Sequence, residues 1–288
     1  MMSIEILRRE FLLGLGAVAI IASEKSSGAM YGSVPENAPD MSLPLNNLIN
    51  LIRMQASLES SSQIPWHYNG TLFAQIGSEQ PIPMVKIEGM ESYRIFSLDD
   101  GSYEILGNML TFFRDIKTGK MIQEYQNPFT GKINNVLPNI RQASFGRGLN
   151  ISTMGARPKA FINQMPDKPL LLDWTFGPEI VWLQNETAYP PGLSAPRLQR
   201  STMFAPLDQF LDQNIKSLAS LFSATVLMPW LPWMDMNEVE GHTLWHASGV
   251  KLKSINQLPE EYFSRMMAEH PDLSSFNLEA DTGPVVYE

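Results

Sequence analysis

His242 and His246, in "GHTLWHASGVKL", come nearest in type and spacing to a catalytic or metal-binding arrangement. A spacing of four puts two side chains on one face of a helix, and also on one face of a strand. Imidazole titrates near neutral pH, so either ring could serve as general acid or base. A metalloprotease motif is excluded, because Thr243 follows His242 where that motif needs a Glu to activate water. A metal site would have to recruit Asp235, Glu238 or Glu240. With only four His in the chain, an imidazole pair lining a pocket or the surface is the simpler reading, and no metal is assigned.

The surroundings of that pair are aromatic. Met228, Trp230, Trp233, Met234, Met236 and Trp245 crowd "LMPWLPWMDM" and the strand that follows. Such side chains fill irregular cores, and they equally wall a pocket for an apolar or ring-shaped molecule. The proline turn in "WLPW" exposes backbone at a rim, which favours the pocket. Polar candidates lie elsewhere. His67 and Tyr68 follow Trp66 at a strand start, and Asn127 precedes Pro128, where it most simply caps a turn. Arg114, like Arg141, Arg147 and Arg200, could fork onto a ligand carboxylate, although a solvated or ion-paired Arg is the ordinary case. The ligand-binding candidates are thus His67, Tyr68, Arg114, Asn127, Trp230, Trp233, Met234 and Trp245, with His242 and His246 as catalytic candidates.

Other chemistries find no support. There is no Gly-x-Ser-x-Gly elbow, and "SFGRGLN" is not a dinucleotide fingerprint. Thr-Gly-Lys occurs at 118–120 and 130–132, but Met121 and Ile133 follow the lysines, which a phosphate loop forbids. Asp99/Asp100 and Glu260/Glu261 are adjacent pairs in a turn and a helix start, so paired-carboxylate hydrolysis is unsupported. The absence of Cys removes disulfides, thiolate nucleophiles and iron–sulfur clusters together. No cofactor is implied.

The elements that must hold these residues are mostly strands. "HYNGTLFAQIG", "MVKIEG", "ESYRIFSLDDGSYEILGNMLTFFRD" and "KMIQEYQNP" are rich in Tyr, Phe, Ile and Val and broken by Gly, Asp and Asn. Each Thr-Gly-Lys closes a turn with Gly at the left-handed position, and Met121 to Gln126 between them is one strand of a meander. Strands resume at "KAFINQM", "PLLLDWTFG", "EIVWLQNETAY", "RSTMFAP" and "GHTLWHASGVKL". Three helices are expected. The first, in "PLNNLINLIRMQASL", has Leu45, Leu48, Ile49 and Ile52 at helical spacing behind Pro44. The second follows Pro206, with Leu207, Phe210, Leu211, Ile215, Leu218 and Phe222 in one stripe, and the third lies in "LPEEYFSRMMAEH". These elements imply a mainly-β fold: a large antiparallel β-barrel or strongly curved sheet, calycin-like, with about three peripheral helices in a single domain over 42–288.

Hydrophobic residues at 44% supply a sizeable core, and charged residues at 18% are too few for disorder. A net charge of -9 excludes a nucleic-acid surface, which needs clustered Lys and Arg. Arg8 and Arg9 precede the apolar run "FLLGLGAVAIIA", too short to span a bilayer core and suited to an export signal. "RREFL" is similar to a twin-arginine signal. The expectation is a leader over 1–29, a linker over 30–41, contact with the twin-arginine translocation machinery, a periplasmic or secreted address and no stable membrane span.

The stretch "DIKTGKMIQEYQNPFTGKINNV" and the later "LPWMDMNEVEGHTLWHASGVKL", a Leu-Pro helix and "HPDLSSF" resemble the family catalogued as domain of unknown function 1838. The likeness covers most of 40–277. Two departures stand out: Asn108 and Met109 where the family suggests an Arg-Glu pair, and Pro138 to Arg141 where it suggests a His and an Asn-Asp-Pro element. The resemblance adds fold and no established activity. The leading expectation is an exported protein that binds a small, mostly apolar or aromatic molecule in its barrel. One alternative is a cofactor-independent isomerase, cyclase or lyase using His as general acid or base; another is a structural or interaction protein of the cell envelope.

Overall fold

A computed structural model describes residues 34–59, 62–141, 149–158, 163, 167–188 and 198–275. The expected leader and Arg147 lie outside them, as does the "KAFINQM" strand apart from Asn163. The chain enters through helix α1 (Pro44–Gln55), then forms the long meander β1 (Ile64–Gln75), β2 (Ile82–Ser97) and β3 (Tyr103–Asp115). Short strands follow: β4 (Glu124–Gln126), β5 (Ile133–Asn135), β6 (Asn139–Arg141), β7 (Leu149–Ser152) and β8 (Gly155–Pro158). A second meander runs β9 (Asp173–Phe176), β10 (Ile180–Ala188), β11 (Leu198–Pro206), helix α2 (Leu207–Leu211), β12 (Leu221–Met228) and β13 (His242–Lys251). Helix α3 (Glu260–Glu269) closes the described chain with a 3-10 turn at Pro271–Ser274.

These strands make one 11-stranded antiparallel sheet in the order β8-β7-β3-β2-β1-β13-β12-β11-β10-β9, with β6 also on β3. The two meanders join where β13 returns to β1, over ten pairs from Trp66↔Lys251 to Gln75↔His242. The sheet must curl. Laid flat, strands about 4.8 Å apart would hold β8 and β9 roughly 40 Å from each other. Yet Ile151 and Ala156 at one end and Trp174 and Phe176 at the other share a single apolar cluster with α1. The helix is a rod about 10 Å across, so the ends come round it. Two backbone bonds, Leu170 N–H to Thr153 O (2.9 Å) and Lys168 N–H to Met154 O (3.3 Å), link the β7–β8 turn to the chain entering β9. The ladder itself stays open between β8 and β9. The mainly-β reading with a large curved antiparallel sheet and three helices therefore stands in its broad form.

Helix α1 is buried on nearly every side from Asn47 to Gln55. Arg53 has no exposed surface, and its guanidinium donates to Asn50 Oδ1 and to the carbonyls of Gln209, Phe210, Asp212 and Ile215. That grip corrects the long helix expected over 207–222. Carbonyls that would carry α2 onward are spent on Arg53, so the helix stops at Leu211. Phe222, Ala224, Val226 and Met228 then alternate along β12 with a strand period. Lys251, at the end of β13, caps α1 itself: its ammonium donates to the carbonyls of Arg53, Met54 and Ala56. A cation suits the negative end of a helix, although burial lowers this ammonium's pKa well below the usual value.

The two Thr-Gly-Lys turns have one geometry. Asp115 Oδ1 accepts from the amides of Lys117 and Thr118, and Asn127 Oδ1 from those of Phe129 and Thr130. Gly119 and Gly131 both sit at φ +70, a conformation glycine adopts without steric cost. Between them only Glu124–Gln126 is a strand, preceded by an isolated bridge from Met121 to Arg114.

Candidate ligand cavity

Strand parity divides the sheet into two faces. On the concave face stand Trp66, Tyr68 and Leu72 of β1, Tyr93 of β2, Met203 of β11, and Trp245 and Ala247 of β13. The apolar side chains there form two clusters. One surrounds α1; the other packs under the β4–β5 hairpin and the 3-10 turn Pro232–Met234. A cavity of about 50 Å³ lies where the clusters meet. Trp66 and Met203 reach it from the first, Tyr68 and Ala247 from the second, and Phe222 touches both. Since one water needs about 10–15 Å³, the space takes a few waters or the end of a larger molecule.

Its aromatic wall is built edge to face. Phe222 lies 5.6 Å from Trp66 and 6.1 Å from Tyr68, ring centre to ring centre. Glycines make room for these rings. Tyr68 is paired with Gly89 on β2 and Gly249 on β13, and a Cβ on Gly249 would come 2.4 Å from the Phe222 ring. Trp66 Nε1 donates to Gln55 O (2.8 Å), tying the wall to the end of α1.

Polar atoms interrupt this apolar lining. Gln55 of α1 and Gln199 of β11 are 3% and 5% exposed, and each has a buried Oε1 with no hydrogen-bond partner. Ser201 lies beside Gln199 on the same face. Glu91, also buried, accepts a hydrogen bond from the Tyr93 hydroxyl. A larger, more open groove of about 400 Å³ between residues 34–42 and β9 carries Glu36, Asp40 and Asp173.

The residues singled out from sequence fall into separate places. Tyr68 lines the cavity. Trp233, Met234 and Trp245 belong to the second cluster; buried Asn127 Nδ2 donates to Met234 O, and Trp245 Nε1 to Thr243 Oγ1. Trp230 packs at that cluster's margin and donates to Val239 O. These indoles anchor the core; Trp233 Nε1 alone among them is buried without a partner. His242 and His246 do share one face of β13, as their spacing implies, but it is the convex face. His246 is exposed beside Thr225 Oγ1 at 3.2 Å, and His242 is half-buried, which lowers its pKa. The structure does not bring them to the tryptophans. Among the described residues, no three His, Asp or Glu side chains gather as a metal site.

His67 and Arg114 meet on the convex face around Glu88. His67 Nε2 is 3.1 Å from Glu88 Oε1, Arg114 Nε is 2.7 Å from Glu88 Oε2, and Arg114 pairs with Glu261 of α3 at 2.8 Å. Burial raises the Glu88 pKa, but the bonds from His67 and Arg114 outweigh it and hold it below the usual carboxylate value. Beside this group Tyr262 enters the sheet: its hydroxyl accepts from Met90 N–H and donates to Leu110 O.

Gln55, Gln199, Ser201, Met203 and Phe222 were not singled out by sequence. Their signal is faint, because "LQRSTMF" has polar residues on both alternating faces, and Gln carries no distinctive chemistry. Of the departures from the family pattern, Met109 is buried on β3 opposite Glu91, and Arg141 pairs with it from β6.

The family model described as "Protein of unknown function (DUF1838)" matches residues 61–282. The chain belongs to the DUF1838 family. In this DUF1838 chain the matched span holds every strand of the sheet, whereas α1, which supplies Gln55, precedes it. Comparison with curated proteins finds no match. Among solved structures, that of MucB in complex with MucA(peri) aligns with 79% of the DUF1838 chain and 96% of its own. Its identity is 10% and its TM-score 0.11.

Proposed function

We propose that this protein is exported to the periplasm and binds a small, mostly apolar or aromatic molecule on the concave face of its sheet, a calycin-like cup with α1 as its plug. One observation carries the reading: two buried carboxamide oxygens, Gln55 Oε1 and Gln199 Oε1, stand unpaired at an aromatic-lined cavity. An unsatisfied buried polar group costs about 1–3 kcal/mol, so a core selected for stability alone would not keep two together. A ligand that bonds to them recovers that cost, while Trp66, Tyr68 and Phe222 pack against the apolar part next to its head. The twin arginines before a short apolar run support export.

The test is native mass spectrometry of protein recovered from an exporting host, with displacement of N-phenyl-1-naphthylamine as a second readout. A co-purifying small molecule that is lost in Ala247→Leu, which narrows the cavity, supports the reading. Probe binding that is absent, or indifferent to Ala247→Leu, overturns it.

A further inference from the structure

We infer that the cavity selects uncharged ligands whose apolar body ends in a hydrogen-bonding group, an alcohol or a carboxamide, and turns away carboxylates and phosphates. This rests on the cavity being a ligand site, and it names the class of ligand.

Charge decides the selectivity. No Lys, Arg or His is among the described residues that line the cavity. Its unpaired polar atoms belong to neutral carboxamides, Gln55 and Gln199, with the Ser201 hydroxyl alongside. The one ionisable acid there, Glu91, presents a carboxylate that already takes a proton donor from Tyr93. Two cations, Arg53 and Lys251, lie close to Gln55 at the end of α1, but their donors are spent. Arg53 gives its guanidinium hydrogens to Asn50 and four backbone carbonyls. Lys251 gives its ammonium hydrogens to the three carbonyls at the end of α1, and an ammonium has only three. Among the described residues that line the cavity, none offers an anion an opposite charge in place of its hydration, and such a loss is far costlier than burying a neutral dipole. A neutral donor loses much less and regains a hydrogen bond at Gln55 or Gln199. The size fits too, since the space admits the head of a ligand rather than its whole.

Four eight-carbon probes separate the cases: octanamide, octan-1-ol, octanoate and octylamine, each competed against N-phenyl-1-naphthylamine on the full chain. The two neutral probes should bind at least about tenfold tighter than octanoate. Gln199→Leu should cost octanamide about tenfold and leave octanoate unchanged. Octanoate binding as well as octanamide would overturn the selectivity, as would octylamine binding tighter than either neutral probe, because Glu91 would then dominate. If no probe competes, and Ala247→Leu changes nothing, the ligand-site reading itself fails.

Discussion

The Tyr68 phenol occupies the space that a side chain on Gly89 would need. A Cβ built on Gly89 would fall 2.3 Å from Tyr68 Cζ and 2.4 Å from its hydroxyl oxygen. The missing side chain lets the phenol cross β2 and reach Thr111 Oγ1 on β3 at 2.6 Å. A strand glycine is usually a weakness; here it is the seat of a cavity-wall ring.

Gly89→Ala should therefore lose at least about 1–3 kcal/mol of stability in chemical denaturation, the range for overpacking a core. Tyr68→Ala in the same chain should return part of that loss, since the ring is the atom group struck. Additive losses would show that the ring is not the obstacle.

Glu88 sets an acid-limb expectation. Its pKa is held below the ordinary carboxylate value of about 4.3. A group lowered on folding stabilises the native state above its unfolded pKa, and that contribution disappears as pH falls through the folded value. Glu88→Gln should thus be less stable at pH 7 and show a flatter decline below about pH 4.5. Parallel acid limbs for both proteins would remove Glu88 from the linkage.

Arg53 organises two segments far apart in sequence. Arg53→Met strands four carbonyls of the α2 region, and a loss of about 3–5 kcal/mol is expected, as when one partner of a buried polar set is deleted. A change under about 1 kcal/mol in urea titration would mean that those carbonyls find other partners.

His242 and His246 project from the convex face, away from the aromatic wall. The double variant His242→Gln, His246→Gln should keep its affinity for N-phenyl-1-naphthylamine. A marked drop would move the binding site to the other side of the sheet.

Much of the architecture is readable from residue order. Period-two runs and the Asp-Gly and Thr-Gly-Lys turns mark β1, β2 and β3 because local sterics, not distant packing, decide them. Pro44 and Pro259 mark two helix starts for the same reason. The 207–222 region misleads because Leu207, Phe210, Leu211, Ile215, Leu218 and Phe222 keep a helical period across the turns that follow α2. What the local pattern lacks is Arg53, more than 150 positions away along the chain, which takes the carbonyls of that segment. The site is harder still. Trp245 and His246 are neighbours in sequence and back to back in space, and no local pattern says which of them faces α1. His67 and Arg114 could be picked out by type, but only the β1–β2–β3 register shows that they converge on Glu88 and not on the aromatic wall.

The span that defines the family begins at residue 61, downstream of the helix around which its own sheet is wound. A chain trimmed to that boundary would be a shell without its kernel. Leu48, Leu51, Ile52 and Met54 would vanish from the middle of the largest apolar cluster, and the Lys251 ammonium would face a void where three carbonyls had been. Borders drawn by likeness between relatives and borders drawn by packing do not coincide in this protein.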